Sequence, residues 1–137
     1  DAYGGKLKPL YNFLNEGRSL ESSPSPFLPV QIVKNTFRRL SSFDAGRGCP
    51  FQCSFCTIIN VQGRTMRCRD PKQVVEFVRQ NYHSVGVTHS FFTDDNLARN
   101  PRWRELFDGL IRLREEEHIP FTFMMSSGDL KGPLALR

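Results

Sequence analysis

Gly46-Arg47-Gly48-Cys49-Pro50-Phe51-Gln52-Cys53-Ser54-Phe55-Cys56 places three cysteines within eight residues, with three residues between the first two and two between the last two. Thiolates are the preferred ligands of iron–sulfur clusters. Three of them on one short loop can hold three corners of a cubane and leave the fourth iron without a protein ligand. An open iron beside a bound small molecule is a site for chemistry, whereas a fully ligated cluster is more often an electron relay. Gly46 and Gly48 allow a tight turn into the loop, and Pro50 restricts the path inside it.

The residues around the loop set its place in a fold. Thr36–Asp44, with Phe37, Leu40 and Phe43, reads as a strand leading into it. Asp70-Pro71 is an N-cap followed by proline at the first helical position. Val74, Val75, Phe77 and Val78 then form a helical stripe running to about Tyr82. Val87–Thr93 is β-branched and aromatic, reads as a buried strand and ends in Asp94-Asp95-Asn96. Asn100-Pro101 repeats the cap-then-proline signal ahead of a helix carrying Trp103, Leu106, Phe107, Leu110, Ile111 and Leu113. Phe121–Met125 is a third strand. Strand and helix in alternation imply α/β architecture with parallel strands and right-handed crossovers. Ligand sites in such folds lie beyond the carboxyl ends of the strands. The cysteine loop and the Asp94–Asn96 loop therefore face one pocket.

Residues 1–36 read as an irregular linker arm, with a short helical turn over Leu7–Leu14. Gly4-Gly5 and Asn15-Glu16-Gly17 punctuate it, and Ser22-Ser23-Pro24-Ser25-Pro26 with Pro29 favour extended backbone. Residues 37–126 carry the alternating strands and helices. Residues 127–137 form an irregular tail with turns at Ser127-Gly128-Asp129 and Gly132-Pro133. At 137 residues the chain is about one small domain. It starts without Met and ends after a turn-rich patch, which reads as a piece of a longer protein.

Composition narrows the function classes. No apolar run approaches the roughly 18 residues of a membrane span, and no export signal opens the chain. Four cysteines without such a signal point to a reducing cytoplasm and metal ligation rather than disulfides. The net charge is +5. Its densest basic patch, Gly63–Arg69, lies just downstream of the cysteines and reads as serving a cofactor or substrate rather than nucleic acid. Zinc would want four closed ligands. Cys68 stands alone and His83, His89 and His118 are scattered, so Cys68 reads as a small apolar residue at the start of a helix.

The Cys49–Cys56 motif, its place after a first strand and the aromatic Phe55 before the last cysteine resemble the radical S-adenosylmethionine (SAM) superfamily. Arg47-Gly48, Gly63-Arg64 with Arg67, and Phe92-Thr93-Asp94-Asp95-Asn96 are similar to the class with a cobalamin-binding domain ahead of the radical domain. The resemblance covers residues 22–126. It implies the N-terminal part of a (βα)6-type partial TIM barrel. It implies a 4Fe–4S cluster on Cys49, Cys53 and Cys56, with SAM chelated by the fourth iron. It implies a 5′-deoxyadenosyl radical that takes hydrogen from a small-molecule substrate, with Phe55 beside the adenine and Asp94, Asp95 and Asn96 holding the ammonium end of SAM. Implied partners are a reductant such as flavodoxin or ferredoxin and cobalamin on a domain outside this chain. The family's later strands are missing here, so the isolated chain is expected to be inactive. The reaction is expected to be a cobalamin-dependent methyl transfer or cyclisation. The alternatives are a methylthiotransferase, which shares the cysteine spacing, and a non-enzymatic electron carrier, which would need a fourth cysteine in reach of the cluster.

Overall fold

The computed structural model describes residues 2–12 and 17–125. The readings for 13–16 and 126–137, including the tail, lie outside the described residues, and the described part of the expected Leu7–Leu14 turn, 7–12, is not helical. Three parallel strands form the centre: β1 (Leu40–Phe43), then β4 (His89–Phe92), then β5 (Thr122–Met125), side by side in that order. Ser42, Phe91 and Met124 stand in register, as do Phe43, Phe92 and Met125. Between β1 and β4 the chain makes the cysteine excursion, which comprises β2 (Gly46–Arg47), the short α2 (Ile58–Val61) and β3 (Arg67–Cys68), and then α3 (Pro71–Val85). The helix α4 (Trp103–Glu115) crosses from β4 to β5, and α1 itself (Val30–Asn35) precedes the sheet.

Sequential parallel strands with right-handed crossovers put both helices on the same face of the sheet. The core lies there, with Phe43, Phe92 and Phe121 against Val74, Phe77 and Val78 of α3 and Leu106, Leu110 and Leu113 of α4. Phe43 packs its ring 4.9 Å from Phe77 and 4.7 Å from Phe92, spacings at which aromatic pairs add to burial. Gly109 lets α4 approach α3, since a Cβ there would sit 2.6 Å from a Val75 methyl carbon. The opposite face of the sheet is open: Leu40 is 46% exposed and Met124 64%.

Asp70 caps α3 as its sequence indicates, its Oδ1 accepting from the Lys72 amide at 3.1 Å. The helix continues to Val85 rather than stopping near Tyr82, because the stop signal is Gly86. Its φ of 71° lets its amide turn back to the Tyr82 carbonyl while the Val87 amide bonds Asn81. The Asn100 signal is displaced by two residues. Asn100 Oδ1 accepts from the Arg102 amide at 2.9 Å, and α4 begins only at Trp103. The first strand is shorter than Thr36–Asp44, since Phe37–Arg39 forms a 3-10 turn in front of it. The arm is not wholly irregular. Its α1 inserts Val33 against Val85 and Val87, and Leu20 is buried.

Candidate functional site

The cysteine loop is closed at its base before any ligand is considered. β2 and β3 pair antiparallel, Gly46 opposite Cys68 and Arg47 opposite Arg67. Above this clasp the Cys49 amide donates to the Gly63 carbonyl at 3.3 Å. Gly48 has φ 97°, and a Cβ on it would meet the Thr65 carbonyl oxygen at 2.4 Å, so a side chain is excluded twice over. Farther out, the Cys56 amide donates to the Cys53 carbonyl at 3.0 Å.

The loop after β4 meets this base. Asp94 Oδ2 accepts from the Ala45 amide at 2.9 Å, and Asp95 Oδ2 accepts from the Gly48 amide at 2.8 Å. The Arg99 guanidinium lies over the Phe51 ring, 4.8 Å from its centroid. The two loops anticipated at one rim are therefore joined by hydrogen bonds. Asp94 is 1% exposed. Burial, together with the charge of Asp44, pushes its carboxyl up to about 7, although the amides of Ala45 and Gly46 pull the other way. Asn96 is buried as well, its Oδ1 without a hydrogen-bond partner among the described residues.

All four cysteines are free thiols: Cys49, Cys56 and Cys68 are half-buried and Cys53 is exposed. Phe55 is 88% exposed. Among the described residues no three His, Cys, Asp or Glu side chains are gathered closely enough to hold a metal ion. The donors nonetheless suit an iron–sulfur cluster in kind: three unbridged soft thiols on one solvent-reached loop with a fixed base. Cys68 differs from them. It sits in the clasp opposite Gly46, and burial and the nearby Asp94 push its thiol up, away from the thiolate that a metal needs.

An interaction that the sequence did not announce lies under the loop. Asp44 and Arg69, 25 positions apart, form a buried ion pair at 3.1 Å, each side chain 8% exposed. Arg69 Nε also donates to the Asp44 carbonyl, and its Nη1 donates to the carbonyls of Ser23 at 2.9 Å and Pro24 at 3.2 Å. Arg47 Nε adds a second cation on Asp44 at 2.5 Å. Burial alone would raise the Asp44 carboxyl, but the hydrogen bonds and charges of Arg47 and Arg69 outweigh it and hold the carboxyl below its ordinary value. Much of the basic patch is thus spent on the chain itself. Arg67 likewise donates to Gln62, both backbone and side chain, and to the Arg18 carbonyl. Arg64 remains exposed. It lines a cavity of about 690 Å³ with Gly17, Asn60, Gln62 and Arg67.

The chain is similar to several methyltransferases. It is 32% identical over 133 residues to bacteriochlorophyllide d C-12(1)-methyltransferase of Chlorobaculum tepidum, covering 90% of this chain and 29% of that protein. It is 30% identical over 89 residues to the hopanoid C-2 methylase of Rhodopseudomonas palustris, covering 64% and 16%. These relatives are radical SAM proteins. The resemblance to the radical SAM superfamily is borne out. An uncharacterized methyltransferase of Synechocystis sp. is 37% identical over 83 residues, covering 60% of this chain and 16% of that protein. The chain spans less than a third of the length of each of these radical SAM-type relatives and of the Synechocystis protein. No family model and no solved structure matches it. No helix among the described residues is long and apolar enough to cross a membrane.

Proposed function

We propose that this chain supplies the cluster-binding part of a radical SAM methyltransferase. The observation that carries the reading is the Cys49–Cys56 loop, sealed by the β2–β3 clasp and hydrogen-bonded to the β4 loop at the carboxyl end of a parallel sheet. Cys49, Cys53 and Cys56 would hold a 4Fe–4S cluster, with SAM on its remaining iron. Bound there, cluster and SAM supply the one-electron chemistry that opens an unactivated carbon to methylation. The chain's own residues bind and orient. Asp95, half-buried where Asp94 is sealed, offers its second carboxylate oxygen to the ammonium of SAM beside Asn96. Phe55, exposed on the loop, offers its ring to the adenine. The open face of the sheet, with Leu40, Phe91 and Met124, suits the interior of a partial barrel whose remaining strands would exclude water. Four free thiols fit a cytoplasmic setting with a flavodoxin- or ferredoxin-type reductant. Cobalamin would be bound outside this chain.

The test is anaerobic reconstitution with ferrous iron and sulfide, followed by iron counting and addition of SAM. Wild-type protein is expected to take up roughly four irons per chain and to change its absorption spectrum with SAM. Cys53→Ala should lose the cluster. Equal iron in both proteins would refute the assignment, and a cluster indifferent to SAM would favour an electron carrier.

A further inference from the structure

The three cysteines are not held alike. Cys49 lies between two residues that the β4 loop grips: Gly48, whose amide donates to Asp95 Oδ2 at 2.8 Å, and Phe51, whose ring is covered by Arg99 at 4.8 Å. Its own amide is tied to the Gly63 carbonyl. Cys53 and Cys56 are joined to each other through a backbone hydrogen bond and lie farther along the loop, where Phe55 is exposed. The grip also explains why Gly48 must be a glycine. Its left-handed backbone aims the amide at Asp95 and leaves no room for a Cβ under Thr65.

We infer that Asp95 is a positioning residue for cluster binding, presetting Cys49 through the Gly48 amide, with the Arg99–Phe51 contact as a second brace. This rests on the three-cysteine reading above. A ligand whose backbone is already ordered loses less conformational freedom on metal binding, so Cys49 acts as the fixed point onto which Cys53 and Cys56 close. Outer hydrogen-bond partners of metal ligands typically contribute 10–100-fold to metal affinity.

The experiment compares wild type, Asp95→Ala, Asp95→Asn and Phe51→Leu in two readouts. The first is iron retained against a ferrous chelator after anaerobic loading with iron and sulfide. The second is hydrogen exchange of the Gly48 and Cys49 amides in the metal-free protein. Asp95→Ala should retain iron about 10-fold more weakly and release the Gly48 amide to exchange. In these two readouts, made without SAM, Asp95→Asn should match wild type, because its side-chain oxygen still accepts from Gly48. Phe51→Leu, altered at a partly exposed ring, should weaken retention without touching the Gly48 amide, and it serves if Asp95→Ala fails to fold. Iron retention in Asp95→Ala equal to wild type would overturn the inference. Weaker retention with Gly48 still protected would overturn it too. If wild type takes up no iron, the cluster reading fails, while unchanged Gly48 exchange in Asp95→Ala would separately defeat the positioning role.

Discussion

Arg69→Met is the substitution that interrogates the support beneath the cysteine loop most directly. Methionine keeps most of the apolar stem and removes the guanidinium. Asp44 is then left buried at 8% side-chain exposure with Arg47 as its remaining cation. Breaking a buried pair from one side costs about 3–5 kcal/mol, because the stranded charge keeps its desolvation penalty. Two features place this case at the lower end. Arg47 still answers Asp44, and the Ser23 and Pro24 carbonyls lie on a partly exposed arm where water can replace Arg69. About 3 kcal/mol is therefore expected. With a urea slope of about 2 kcal/mol per molar, that shifts the unfolding midpoint by about 1.5 M. Asp44→Asn should cost a similar amount by stranding Arg69. The double variant should cost less than the two together by at least about 1 kcal/mol, since it leaves neither charge alone. Urea unfolding of all four proteins at pH 7 gives the cycle. A loss below about 1 kcal/mol for Arg69→Met, or strictly additive losses, would refute the account of a buried, mutually dependent pair.

Four further outcomes follow from the same geometry. Gly48→Ala forces a side chain into a φ of 97° and toward the Thr65 carbonyl; it should cost about 1–3 kcal/mol in urea unfolding and reduce iron uptake in reconstitution. Asp94, held up to about 7 against an unfolded value near 4, binds its proton more tightly folded than unfolded. Its contribution is present below about pH 4 and is lost as pH rises through about 7, a fall of up to about 4 kcal/mol, so urea midpoints from pH 4 to 8 should decline less in Asp94→Asn. Asp44 has the opposite sign: its lowered carboxyl gives stability that is lost as pH falls below its ordinary range. Gly109→Ala drives a methyl into Val75 at the α3–α4 crossing and should cost about 1–3 kcal/mol by urea unfolding, with Val75→Ala in the same chain recovering much of it.

The elements that sequence revealed are those with local causes. Asp70-Pro71 starts α3 because the cap and the proline act within one turn, and the aromatic run at His89–Phe92 is a strand between two strands. The rim shared by the cysteine and Asp94–Asn96 loops followed from topology, since parallel strands put their carboxyl ends together. What could not be read was pairing at a distance. Arg69 looks like part of a basic patch until Asp44 and the Ser23 carbonyl are seen around it, and no periodicity reports a contact across 25 positions. Asp94 and Asp95 look interchangeable in sequence. Depth separates them, the first sealed against Ala45 and the second half-buried and holding Gly48. The apolar stripe of α3 fades near Tyr82, whereas the left-handed Gly86 is what stops the helix.

The guanidinium of Arg69 also makes a short mechanical linkage. One of its nitrogens holds the arm at Ser23 and Pro24, and the other two hold Asp44, the residue before Ala45, whose amide is fixed by Asp94. A tug on the arm therefore reaches the root of the cysteine loop through one rigid, planar group rather than through twenty residues of backbone. The arm and the entrance to the cysteine loop are thus held by the same side chain.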